Sequence, residues 1–199
     1  MMKNVIFVLG ISLLLTFGCS TKGQYRTMVE EGLASGVRQD SLFLGLYLGM
    51  PSKDFYARCW KLNEQGILQN GPQNLSAQTM LTNMKDTAFL NFYPDFYEDK
   101  IADMPVKFNY KTWAPWNKHL HADSLLLDVI DLMEDWYGEG FTKFSHPEKG
   151  EVYVKIDGNR RIMLKKADDQ FVEGWITDMV IREKVKAATE ARKKGEEQS

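Results

Sequence analysis

Residues 151–181 alternate, and that alternation limits the possible folds more than anything else in the chain. Val152, Val154 and Ile156 lead into Asp157-Gly158-Asn159, Ile162 and Leu164 repeat the pattern, and Lys165–Gln170 is a second polar stretch before a last run from Phe171 to Ile181. A period of two puts successive side chains on opposite faces of a strand. Asp-Gly is a hairpin signal because glycine enters the left-handed backbone region without a steric penalty. Parallel neighbours need a crossover of about a dozen residues, which these short turns do not supply. The region therefore predicts a three-stranded antiparallel meander.

Two upstream segments alternate in the same way. Phe89, Asn91 and Tyr93 oppose Leu90 and Phe92, and Val106, Phe108 and Tyr110 alternate with Lys107, Asn109 and Lys111. Three stretches carry the helical period instead. In 24–35, Tyr25, Met28, Val29 and Leu33 share a face ahead of Gly36. In 53–65, Ser52 is a candidate cap and Gly66 a stop; Phe55, Cys59 and Leu62 form an apolar line broadened by Tyr56 and Trp60. In 124–137, with Asp123 or Ser124 as cap, Leu126, Val129, Ile130, Met133 and Tyr137 point inward while Asp128, Asp131 and Asp135 ride the outer side. The polar, turn-rich segment 67–86 gives no clear element. The expected architecture is α+β, with helices packed on one face of an antiparallel sheet and the meander at its C-terminal end. Residues 24–181 read as a single domain, and 182–199 as a charged, frayed helical tail.

The N-terminus has a different character. Lys3 precedes an apolar run from Val5 to Phe17, shorter than the roughly 18–20 residues a spanning helix needs and suited to a signal peptide over 1–18. Leu15-Thr16-Phe17-Gly18-Cys19 resembles a bacterial lipobox, in which the cysteine is acylated and becomes the mature N-terminus. The usual pattern places leucine three positions before the cysteine; here Thr16 holds that place and the small Gly18 directly precedes Cys19. The resemblance implies a signal peptide, lipidation of Cys19 and a tether over 19–23. Thr16 and Gly18 also satisfy an ordinary small-x-small cleavage site, which would leave Cys19 free to pair with Cys59. With Cys19 acylated, Cys59 reads as a small buried hydrophobe. No acidic run follows Cys19, so a lipid-anchored place in the bacterial cell envelope, on the periplasm-facing side of the outer membrane, is the expected localisation.

Leu48-Gly49-Met50-Pro51-Ser52, a strand-like segment turning into a capped helix, resembles the corresponding entry in small bacterial envelope lipoproteins with the β-lactamase-inhibitor-protein-like fold. Those proteins place two helices before an antiparallel sheet and generally act by binding other proteins. The resemblance covers this entry and the order of elements, and it implies a similar fold and a binding role.

Composition narrows the chemistry. The chain is 44% hydrophobic with a formal charge of −2, enough apolar material for a core and without the basic excess of a nucleic-acid binder. It holds no G-x-S-x-G elbow, Walker loop, G-x-G-x-x-G fingerprint or H-E-x-x-H helix. His119 and His121, two apart, would share a face on a strand but lack a third ligand; His146 reads as a loop residue. The acidic set Asp128, Asp131, Glu134, Asp135 and Glu139 is explained by solvation of a helix face. We expect no catalytic residues, cofactor or metal. The loop aromatics Tyr110, Trp113 and Trp116, with Tyr97 in a second loop, are the candidate binding residues. Such rings are either lids over the core edge or contact anchors for a protein or a glycan. The expected function is a non-enzymatic, membrane-tethered binding module with an envelope protein as partner. A carbohydrate-binding lipoprotein is the alternative, and a carboxylate- or histidine-based hydrolase a further one.

Overall fold

The computed structural model describes residues 21–146 and 150–196. In chain order the elements are α1 (Thr21–Ala34), α2 (Ser52–Glu64), β1 (Gln69–Asn70), β2 (Ala77–Leu81), β3 (Ala88–Phe92), β4 (Asp95–Tyr97), β5 (Lys100–Tyr110), α3 (Ala122–Tyr137), β6 (Thr142–His146), β7 (Gly150–Asp157), β8 (Arg160–Lys166), β9 (Val172–Asp178) and α4 (Met179–Glu196). The signal-peptide and lipidation expectations on 1–18 and Cys19 lie outside the described residues. Thr21–Gly23, expected as tether, are already helical. Among the described residues no helix is long and apolar enough to cross a membrane.

Among the described residues, nine strands join one antiparallel sheet in the order β1-β2-β3-β5-β9-β8-β7-β6, with β4 also paired to β5. This is the α+β architecture expected from the sequence. The meander is present and longer than predicted, because β6 adds a fourth strand to it. His146, read as a loop residue, is the last residue of that strand.

The main core lies on one sheet face. Leu90, Phe108, Leu164 and Ile176 are fully buried there, beneath Leu125, Val129 and Met133 of α3. Gly174 is part of the fit, since a Cβ on it would stand 2.7 Å from Leu164 Cδ2 and 2.9 Å from Val106 Cγ2. The helix that covers this face starts earlier than its polar residues suggest. His121 occupies the N-cap position, and Asp123 pairs with Lys166 at 2.7 Å instead of capping.

The loop from Leu42 to Met50 is also buried. Phe43 meets Phe92 edge-on at 4.9 Å and Trp136 at 5.8 Å, closing the core between β3 and the end of α3. Pro51 bridges to Lys100 and hands the chain to α2. In α1 no residue is fully buried. The helix lies along β7, with Gly32 against Ile156 and the Tyr25 ring edge-on to Phe144 at 6.0 Å.

Segment 67–86 holds β1 and β2, which the sequence did not disclose. Their alternation is hidden by amides. Gln69 pairs with Gln78, and Gln78 Nε2 donates to Asn91 Oδ1 at 2.8 Å, so glutamine and asparagine take sheet positions that apolar residues usually fill. The last strand stops at Asp178, short of the expected Ile181. Asp178 Oδ1 accepts the amides of Val180 at 3.0 Å and Ile181 at 3.3 Å, which caps α4 and turns the chain out of the sheet.

Candidate ligand-binding cleft

The α2 pattern places two apolar stripes side by side. Phe55 and Leu62 point into the core, with Cys59 half-buried between them. Tyr56 and Trp60, four residues apart on the neighbouring stripe, follow one another along the outer side of the helix. The helical period alone predicts both as part of a broadened core line. They are exposed instead, Trp60 at 70%. The reason is geometric, since one residue of helical rotation carries a side chain about 100° away from the buried line.

The Tyr56 ring stands on a packed aromatic floor. Phe55 lies edge-on to Tyr56 (centroids 5.4 Å, 67°), to Tyr93 (6.1 Å, 89°) and to Phe96 (5.9 Å, 70°). The Tyr56 and Tyr93 hydroxyls are hydrogen-bonded at 2.7 Å, tying α2 to the chain just after β3. That bond, with partial burial, raises the Tyr93 pKa. Trp60 Nε1 donates to Glu64 Oε1 at 2.9 Å, one turn further along the helix.

Opposite the rings runs the loop between β1 and β2. Its tip is a 3-10 turn, Pro72–Asn74, in which Gln73 and Asn74 both have φ +58. Leu75 projects from it, largely exposed. Between helix and loop lies a cleft of about 520 Å³, with Tyr56, Trp60, Tyr93 and Leu75 as apolar surfaces and Asn70 and Asn74 as polar ones. Asn63 and Gln69 add further amides; Asn63 Nδ2 donates to the Leu68 carbonyl at 2.9 Å. None of the residues lining this cleft carries a formal charge. Cys59 sits in its wall, where burial pushes the thiol up to about 11 and keeps it protonated near neutrality.

Ser76 and Tyr93 also line a second hollow of about 300 Å³ on the sheet face away from α3. It extends over Asn91 and Pro105 to Trp175. Its charged members are paired: Glu173 lies 3.5 Å from Lys107 and 3.6 Å from Lys165.

The residues singled out from the sequence are dispersed. Tyr110 is 1% exposed and is no contact anchor. It occupies an inward register at the end of β5, and its hydroxyl donates to Asp128 Oδ2 at 2.7 Å. Trp113 is half-buried; its Nε1 donates to the Asp169 carbonyl at 3.2 Å and its ring lies 6.0 Å from the His121 ring, the lid arrangement. Trp116 is 84% exposed and takes no part in the hollow that Trp113 lines with Pro115 and His121. Tyr97 is half-buried in β4.

His119 falls in a 3-10 turn, Lys118–Leu120, and is exposed, whereas His121 follows it at the N-cap of α3 and is buried; neither lies on a strand. Among the described residues no three His, Cys, Asp or Glu side chains are grouped to hold a metal. The acidic face of α3 also needs correction. Asp128 is 8% exposed and is held by Tyr110 and by Lys85 Nζ at 2.9 Å, so it faces inward. No family model, characterised protein or solved structure matches this chain.

The sequence signal for the cleft was present in part. Tyr56, Trp60 and Asn63 form a stripe of their own beside the Phe55–Cys59–Leu62 line. The facing loop carries no such signal, because amides fill the sheet positions of β1 and β2 that flank it.

Proposed function

We propose that this chain is a non-enzymatic binding protein of the bacterial cell envelope, tethered through acyl chains on Cys19 and facing the periplasm from the outer membrane. Its recognition surface is the cleft between α2 and the β1–β2 loop. One observation carries this reading: Tyr56 and Tyr93 are exposed yet held from below by Phe55 and laterally by their hydroxyl pair, and the exposed Trp60 beside them is bonded to Glu64. Rigid exposed rings offer contact area without the entropy cost of ordering flexible side chains on binding. The tether rests on the lipobox-like residues ending in Gly18-Cys19 and on the strength of acyl anchoring, about 0.8 kcal/mol per buried CH₂.

The test uses the full chain expressed in a bacterium. Radiolabelled palmitate incorporation and partition into a detergent phase are expected, both lost in Cys19→Ala. Hydrogen exchange is then compared with and without solubilised envelope components. Slowed exchange in α2 and residues 69–77, absent in a Tyr56→Ala/Trp60→Ala double variant, supports the reading. Unchanged exchange there would overturn the recognition surface, and a palmitate-free chain would overturn the tether.

A further inference from the structure

We infer that the α2 cleft takes an uncharged oligosaccharide, one sugar ring stacked on Trp60 and Tyr56 and the chain continuing past Tyr93 toward Trp175. This deepens the binding role proposed above and rests on it.

Three features select this ligand class. The first is charge. In a chain with 26% charged residues, the lining of the cleft has none. Protein-recognition patches typically use arginine among their aromatic anchors and a charged rim, and an anionic glycan would need cations to neutralise it. A neutral ligand leaves no charge unpaired in the cleft, and along the extension toward Trp175 the charges of Lys107 and Lys165 are already met by Glu173.

The second is the form of the polar groups. Asn63, Gln69, Asn70 and Asn74 present carboxamides, and each carboxamide both donates and accepts. Sugar hydroxyls also do both, so each hydroxyl can be paired whichever way it is turned. The Tyr56–Tyr93 hydroxyl pair adds a further donor and acceptor.

The third is the arrangement of the rings. The C–H bonds on one face of a pyranose carry slight positive charge and match the negative face of an aromatic ring. Tyr56 and Trp60 lie one helical turn apart, about 6 Å of rise, so they form a short row and not an isolated platform. The cleft and the second hollow share Ser76 and Tyr93, with volumes of about 520 and 300 Å³. This gives the row an extension that a monosaccharide would leave empty. Trp175 stands at its far end with Lys165 Nζ 5.3 Å from its ring centroid.

The test is isothermal titration of the full-length protein in detergent micelles with neutral malto-, cello-, xylo- and chito-oligosaccharides from trimer to hexamer, with oligogalacturonate as the anionic control. At least one neutral series is expected to bind, with affinity rising from trimer to hexamer, and oligogalacturonate is not. Trp60→Ala is expected to weaken that binding at least about ten-fold, Trp60→Phe by less, and Trp116→Ala to leave it unchanged. Trp60 is an exposed helix residue, so circular dichroism should show all three variants folded.

If no neutral oligosaccharide binds, or if binding is indifferent to Trp60→Ala and Tyr56→Ala, the inference is overturned. If an envelope protein protects α2 from exchange while every glycan fails, the ligand class falls and the binding role stands. If neither glycan nor protein affects the cleft, both fall together.

Discussion

Tyr110 Oη donates a 2.7 Å hydrogen bond to Asp128 Oδ2, joining the last residue of β5 to the middle of α3. The other carboxylate oxygen accepts Lys85 Nζ at 2.9 Å. The carboxylate therefore enters a largely buried site with a donor on each oxygen, and burial followed by this hydrogen bond raises the tyrosine pKa. Tyr110→Phe removes one donor from a buried charge and should cost about 1.5–3 kcal/mol, the range for hydrogen bonds to ionised groups. Urea denaturation of Tyr110→Phe, Asp128→Asn and the double variant will measure the coupling. Strictly additive losses would show that the two side chains do not act together.

Trp113 and Trp116 are close in sequence and opposite in role. Trp113→Ala should lower stability by about 2 kcal/mol, since the ring covers the core edge and its N–H satisfies Asp169. Trp116→Ala should change it by less than about 0.5 kcal/mol, as for other exposed positions. Thermal melts of the two single variants decide this. Equal effects would refute the lid assignment for Trp113.

Glycine at 158 and at 174 is required for different reasons. Gly158 has φ +56, and a Cβ there would meet the Val37 carbonyl oxygen at 2.1 Å. Gly174 lacks room between Leu164 and Val106. Gly158→Ala should cost about 2 kcal/mol or more, combining backbone strain with the clash. Gly174→Ala should cost about 1–3 kcal/mol through overpacking alone. Denaturant midpoints at unchanged m-value are the expected signature.

Asp103 gives a pH prediction. Burial raises its pKa above the ordinary 3.8, only partly offset by the Thr177 hydrogen bond and by Arg161. A raised carboxyl pKa means that the folded state holds the proton more tightly than the unfolded one. The associated stability is fully present below the unfolded value and is lost as pH rises through the folded value. Asp103→Asn keeps an acceptor for Thr177 Oγ1, now 2.9 Å from the carboxylate, and removes the buried charge. Its melting temperature at pH 7 should equal or exceed that of the parent, with the difference shrinking toward pH 4. A variant clearly less stable at pH 7 would show that the ionised carboxylate is a net stabiliser through Arg161.

How far the sequence discloses this molecule depends on how its polar residues are used. The meander was legible because Val152, Val154, Ile162 and Leu164 alternate with charged neighbours and a glycine turn separates the strands. Helix α3 was legible from its period, but Asp128 was misplaced, because a carboxylate on a helix reads as solvated unless its partners are known. Those partners, Tyr110 and Lys85, lie 18 and 43 residues away. Strands β1 and β2 were missed because Gln69, Gln78 and Thr79 fill sheet positions through side-chain hydrogen bonds, which no hydrophobic pattern reports. The cleft was missed with them. Its helical wall could be read from Tyr56 and Trp60, but its other wall depends on a hairpin invisible to periodicity.

Helix α1 has a mechanical consequence under the proposed anchoring. It begins at Thr21, two positions after Cys19, and continues for 14 residues, about 21 Å at the usual helical rise. Seated on β7 through Gly32 and braced by a 2.8 Å bond from Arg161 to the Tyr25 hydroxyl, it would behave as a mast and not as a leash. Such a mast fixes a stand-off height and a heading above the lipid, so only ligands reaching that altitude from that bearing would meet the aromatic row.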